Sequence, residues 1–295
     1  MRGETTVTPI RAPAVAGLFY PRDPQQLRAA IADCSARAAA KGAATPRSAR
    51  RALSSTPKAL IAPHAGYVYS GPIAGSAYGA VGKAAQRIKR VVLIGPSHFA
   101  RFPGLAVSRA AAFKTPLGAV PIDDSMRDEI LRLPNVVPAD YPHAREHSLE
   151  VQLPFLQVLL GEFRLLPIAT GEVTTEDVAR VLEHVWGDEE TLIIVSSDLS
   201  HYLPYESARS MDAATAQAIL GCSTELDGEQ ACGCDGINGL LQVAIERALD
   251  VQLLDLRNSG DMSSERSRVV GYGAFALYET PVGARRNRIE PESDA

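Results

Sequence analysis

The chain has 295 residues, 46% hydrophobic and 22% charged, enough apolar material for one substantial core or two modest ones. A formal net charge of −4 and a pI near 5.9 exclude the basic footprint of a nucleic-acid binder and the polybasic segment that an anionic membrane surface attracts. No apolar run approaches the ~18 residues of a membrane-spanning helix, and the opening MRGETTVTPIRAP lacks the layout of a signal peptide, so a cytoplasmic protein is expected.

In chain order, the first predicted element is a helix over 24–41, with Asp23 as cap and Pro24 in its first turn. A flexible loop over 42–57 leads to a strand at 58–63, a helix at 72–83 and a strand at 90–95. Helices at 123–132 and 148–160 precede a strand at 163–169. A helix at 174–186 follows, capped by Thr174 with Asp177 three residues on. The remaining elements are a strand at 191–196, helices at 206–220 and 237–249, strands at 251–256 and 268–278, and a polar, disordered tail at 281–295. Several strands are nearly uninterrupted Val, Ile and Leu, as strands covered on both faces should be. The alternation predicts an α/β protein, with no internal repeat and no clear domain boundary in residues 1–295.

Loops leaving the carboxyl ends of strands line the ligand crevice of open α/β sheets. Three such ends are polar here: LIAPHAGYVYSG (60–71), LIGPSH (93–98) and IIVSSDLSHY (193–202). They contribute His64, His98, and the pair Asp198 and His201. Two more polar knots, REHSLEVQLP (145–154) and ACGCDGING (231–239), adjoin helices. One crevice would collect the three strand ends, which predicts a shared site. His184 lies off the apolar stripe of its helix and reads as a solvated surface group. His143 and His147 have the spacing of a helical metal pair, but Pro142 and the polar context favour a loop. The four cysteines, Cys34, Cys222, Cys232 and Cys234, are too irregularly spaced for a disulfide framework. There is no GxSxG elbow, phosphate-binding GxxxxGK[ST] loop or HExxH pair, so the commonest hydrolase, NTPase and metalloprotease readings lack support. The segment GYGAFA (271–276) reads as a close-packed strand.

The ordered series VAGLFYP (15–21), APHAGYVYSG (62–71), GPSH (95–98), EHSLEVQLPFLQ (146–157), SSDLSHY (196–202), CG (232–233) and VVGYGAFAL (269–277) resembles the Memo family, whose prokaryotic members are called AmmeMemoRadiSam system protein B. The family is similar in fold to the class III extradiol dioxygenases (LigB-like). The resemblance implies a central, largely buried sheet flanked by helices on both sides. It also implies a metal pocket, bound by two histidines and a glutamate in the ring-cleaving enzymes, where Memo-like proteins carry a cysteine in the glutamate's place and are associated with iron or copper.

Carried onto this sequence, the resemblance makes His64 and His98 the imidazole ligands and Cys232 the thiolate. Asp198, His201, Glu146 and His147 would line the pocket, with His201 as acid or base and Asp198 orienting it. The chain departs from the family in Cys234, an extra thiol beside the proposed ligand. Thiolate ligation suits copper(I) or zinc and supports one-electron chemistry with iron or copper, whereas ring opening is better served by a carboxylate ligand. A metal-dependent redox role on an unknown small molecule is therefore expected ahead of an extradiol-type dioxygenase. A non-catalytic module is the other alternative, since animal Memo proteins are described as binding phosphotyrosine peptides. The resemblance further suggests radical-SAM and AMMECR1-like proteins as partners.

Overall fold

In the computed structural model, residues 9–44 and 56–279 are described. Most of the loop expected at 42–57 and the whole tail expected at 281–295 lie outside them. Strand β1 (Ile10–Arg11) leads through a turn-rich segment to α1 (Pro24–Ala44), whose Gln26 N–H donates to Asp23 Oδ1 at 2.9 Å. Then come β2 (Ala59–Ala62), α2 (Tyr67–Gly79), β3 (Arg90–Pro96), β4 (Leu105–Val107), β5 (Ala112–Thr115) and β6 (Gly118–Pro121). Helix α3 (Asp124–Ile130), β7 (Val136–Pro138), the single turn α4 (Tyr141–Ala144), α5 (Leu153–Leu160) and β8 (Arg164–Thr170) follow. The chain continues with α6 (Thr175–His184), β9 (Thr191–Ser196), β10 (His201–Leu203), α7 (Tyr205–Leu220), α8 (Cys234–Arg247), β11 (Asp250–Asn258) and β12 (Val269–Tyr278).

The central sheet runs β10-β12-β2-β9-β3-β8-β4-β7, with β11 also paired to β12. Strands β2, β9, β3 and β8 are mutually parallel, with β12 antiparallel to β2 at one side and β4 antiparallel to β8 at the other. A small sheet, β1-β5-β6, lies apart. Alternation along the parallel strands divides the core in two. Leu60, Val91, Leu93, Leu165, Leu192 and Ile194 face α1, α2 and α5, while Ile61, Val92, Ile94, Leu166, Ile193 and Val195 face α3, α6, α7 and α8. All twelve are fully buried, which is why these strands read as apolar runs without alternation. The protein is thus an α/β fold with a central sheet covered by helices on both faces, as expected. Among the described residues, no helix is long and apolar enough to cross a membrane.

Several boundaries differ from the sequence expectation. Helix α2 begins at Tyr67, not residue 72, and Pro72 lies inside it; a proline there forfeits the bond to the Val68 carbonyl and crowds that carbonyl with its ring. The helix expected over 148–160 is a 3-10 turn, Glu150–Gln152, followed by α5 with Pro154 in its first turn. Helix α8 starts at Cys234, three residues before the expected start. Thr174 caps α6 by accepting from Asp177 N–H at 3.2 Å.

Candidate metal centre

Strands β2, β9 and β3 are neighbours in the sheet, so the loops that leave their carboxyl ends meet over one edge. His64 follows β2, His98 follows β3, and the Asp198–His201 loop follows β9 between them. Residues 146–148 of the EHS segment fold over the same edge: Ser148 Oγ donates to the Pro96 carbonyl at 2.8 Å and brings His147 to the other two rings. The centroid separations are 5.3 Å for His64–His98, 5.4 Å for His64–His147 and 4.6 Å for His98–His147. One nitrogen from each of the three lies within 4.8 Å of the others. The rings form the floor of a cavity of about 1010 Å³ whose wall also includes Asp198, His201 and Cys232.

Hydrogen bonds decide which ring nitrogens face the cavity. Ser196 Oγ donates to the Ser148 carbonyl at 2.6 Å and accepts from Gln152 Nε2 at 2.7 Å. Its single proton is committed, so the 2.9 Å contact with His64 Nδ1 requires that Nδ1 carry the hydrogen and leaves Nε2 without one. His98 Nδ1 lies 2.9 Å from Glu146 Oε1. A carboxylate only accepts, so Nδ1 carries a hydrogen and, in the neutral ring, Nε2 is the free nitrogen. Glu146 also accepts the backbone N–H groups of His98, His147 and Ser148 at 2.5, 2.8 and 2.9 Å. Its Oε1 is 3.3 Å from His147 Nδ1 but not aligned for a hydrogen bond. Burial opposes the Glu146 charge, yet the bonds from His98 and Ser148 outweigh it and hold the carboxyl down at about 2.

The same environment keeps the His64 and His147 imidazoles neutral. Burial holds His64 well below its ordinary value, helped by the facing His98, His147 and His201 rings. Burial also lowers His147 to about 4, with His98 adding to it and Glu146 opposing. Neutral imidazoles with exposed lone pairs are what a transition ion binds. The donor set therefore fits a metal ion, and His64, His98 and His147 are the residues that would hold it.

Cys232 stands at the edge of this set. Its Sγ is 3.3 Å from His64 Nε2, and burial, then Asp198, pushes its thiol pKa up. Gly233 makes this approach possible, since a Cβ there would lie 2.7 Å from the Ser196 carbonyl oxygen. Cys234 opens α8 and packs with the core on the α6 and α8 side. Asp198 takes a different partner from the one expected: Oδ1 accepts the His64 N–H at 2.7 Å, so it braces the ligand loop and not the His201 ring. Burial pushes Asp198 up to about 7, against bonds from the His64 and Ala65 backbone. Burial lowers His201.

Elsewhere, His143 is buried in α4, with Nε2 3.1 Å from the Ala106 carbonyl oxygen, and does not join His147. His184 is exposed. The sequence reading set His147 in the pocket lining, and its place among the three clustered rings was missed. The only signal was the adjoining Glu146, whose backbone contacts no spacing rule reveals.

Comparison with known proteins fits these motifs. A family model described as "Memo-like protein" matches residues 11–276. The chain belongs to the Memo-like family. It is 37% identical over 277 residues to a MEMO1 family protein of Aquifex aeolicus, covering 89% of this chain and 97% of the relative. It is equally identical over 281 residues to a MEMO1 family protein of Ignicoccus hospitalis, covering 90% and 97%. An uncharacterized protein (JW3007) of Escherichia coli K12 aligns with 72% of this Memo-like chain at 15% identity and a TM-score of 0.45, a likeness too loose to bear on function.

Proposed function

We propose that this Memo-like protein binds iron or copper through His64, His98 and His147, with the Cys232 thiol at the edge of the set, and uses it for metal-dependent redox chemistry on a small molecule. The observation that carries the reading is the cluster of three imidazoles, with one nitrogen of each within 4.8 Å of the others, in which Ser196 and Glu146 hold Nδ1 of His64 and His98 and leave their Nε2 atoms for an ion. Imidazole donors suit zinc, copper and iron alike, and a neighbouring thiol softens the set. We therefore place one-electron redox work ahead of ring opening, which a carboxylate ligand would favour.

A bound iron or copper ion would supply an electron-accepting, substrate-polarising centre at the cavity floor. The protein's own part is to bind and orient. Glu146 and Ser196 fix two ring orientations, a role typical of groups behind metal-ligating histidines. His201, in the wall, is placed to carry a proton outside the ligand set. Asp198, near 7, can hold or release one at neutral pH. The cavity exceeds what a diatomic molecule needs and is sized for an organic substrate.

The test is metal analysis and electron paramagnetic resonance of protein purified without added metal. Iron or copper near one ion per chain is expected, lost in a His64→Ala/His98→Ala variant. His201→Ala should keep the metal and lose redox turnover. Absence of metal, with peptide binding indifferent to the double substitution, would favour the non-catalytic module.

A further inference from the structure

Asp212 lies in the middle of α7, 2% exposed, on the face that also buries Ala208, Thr215, Ala216 and Ile219. It belongs to none of the family motifs and does not line the cavity. A carboxylate on an apolar helix face is expensive unless something uses it. Its Oδ1 accepts the Ser200 N–H at 3.0 Å, while Oδ2, buried, has no hydrogen-bond partner among the described residues. Gly271 of β12 presses against the same carboxylate: a Cβ there would lie 2.1 Å from Oδ2. Gly271 also donates its N–H to the Ser200 carbonyl at 2.8 Å and accepts from Leu199 N–H at 2.8 Å. Asp212 and Gly271 thus grip Ser200 by its N–H and its carbonyl, one residue before His201.

The far side of His201 shows why a grip is needed. Tyr202 has φ +59°, a left-handed conformation that a bulky side chain adopts only when its surroundings impose it. The pairing of β10 with β12 shifts register between His201 and Leu203. His201 therefore enters the cavity from a strained, bulged strand that only its anchors keep in place.

We propose that Asp212 is the positioning residue of His201, fixing through the Ser200 amide the backbone from which the ring enters the cavity. Only the proton-carrying role of His201 rests on the function proposed above; the positioning itself does not.

The test uses the full chain, treated with a chelator, with ¹⁵N-labelled histidine and backbone; the chain has six histidines. In Asp212→Ala, exchange of the Ser200 amide should accelerate at least tenfold and the His201 ring resonances should shift, while those of His64, His98 and His147 stay. Asp212→Asn, which keeps an accepting Oδ1, should restore both. Gly271→Ala should reproduce the Asp212→Ala spectrum, because its Cβ would displace the carboxylate, and Asp212→Ala/Gly271→Ala should be no worse than Gly271→Ala alone. Where Asp212→Ala does not fold, Asp212→Ser takes its place. A lowered melting temperature with unchanged His201 resonances would reduce Asp212 to a structural group and overturn the proposal, as would failure of Asp212→Asn to restore them. Protein that holds no metal as purified would instead sink the redox reading and leave this result standing.

Discussion

Glu146 holds His98 twice, by the ring nitrogen Nδ1 on Oε1 at 2.9 Å and by the backbone N–H on Oε2 at 2.5 Å. One carboxylate therefore sets both the tautomer of the ring and the path of the loop that carries it. Glu146→Gln keeps the shape but turns one acceptor into a donor facing a backbone N–H. We expect metal affinity to fall about 10- to 100-fold, the range for groups that orient metal-binding histidines. Competition against a chromophoric chelator measures this, and unchanged affinity would make Glu146 a bystander.

Ser196 does for His64 what Glu146 does for His98. Ser196→Ala removes the acceptor of His64 Nδ1–H and leaves Gln152 Nε2 with only its contacts to the Ala62 and Pro63 carbonyls, 3.4 and 3.0 Å away. The His64 ring should then populate both tautomers. Imidazole ¹⁵N shifts of the metal-free protein report the ratio directly, and a spectrum identical to the parent's would contradict the fixed tautomer.

Much of this was legible in the sequence. The buried parallel strands announced themselves because both faces are covered, which leaves runs such as TLIIVS and RVVLIG without alternation. The convergence of His64, His98 and His201 followed from their places just after three such strands. What stayed hidden depends on contacts between distant segments. Strands β4 to β7 are three or four residues long, too short for a period to show. The placing of His147 rests on backbone bonds to Glu146 and on the Ser148–Pro96 contact. Asp198 went to the His64 backbone because β2 and β9 are adjacent in the sheet, a pairing that no spacing in the chain encodes.

Glu150, fully buried, pairs with Arg11 and also accepts from Ala14 N–H at 2.7 Å, Val15 N–H at 3.0 Å and Tyr20 O–H at 2.5 Å. This clamp ties the segment carrying Phe19, whose ring lies 4.7 Å from that of His147, to the floor of the site. Glu150→Leu should destabilise by about 3–5 kcal/mol, as loss of one partner of a buried pair does. Arg11→Met/Glu150→Leu should recover little, because the Ala14 and Val15 amides remain unpaired. Urea unfolding of the single and double variants checks both.

Asp212 also makes a stability signature in pH. Burial raises its carboxyl from 3.8 to about 6, against the opposing pull of the Ser200 N–H and side chain. A raised acid stabilises the folded state fully below its unfolded value, and that contribution is lost as pH rises from about 4 through about 6. Asp212→Asn does not titrate there. Relative to the parent, it should gain up to about 3 kcal/mol between pH 4 and pH 8. Denaturation curves of the two proteins across that range decide it, and a constant difference would mean that Asp212 ionises normally.

Cys232 poses the sharpest question, since its contact with His64 Nε2 at 3.3 Å makes it either a ligand or a neighbour. Without metal its thiol is protonated, because burial and Asp198 both push its pKa up. His64 and His147 are neutral near pH 7.5 and bind through nitrogens that carry no hydrogen. Proton release on metal loading therefore separates the two roles, because only coordination of the sulfur expels its hydrogen. Cys232→Ser should release about one proton fewer per ion than the parent if the thiolate is a ligand. Cys234→Ser should match the parent, as Cys234 packs away from the cavity. Loading zinc, which undergoes no redox change, in weakly buffered solution at pH 7.5 gives the count. Equal release from parent and Cys232→Ser would remove the thiolate from the ligand set and leave the three imidazoles to hold the ion.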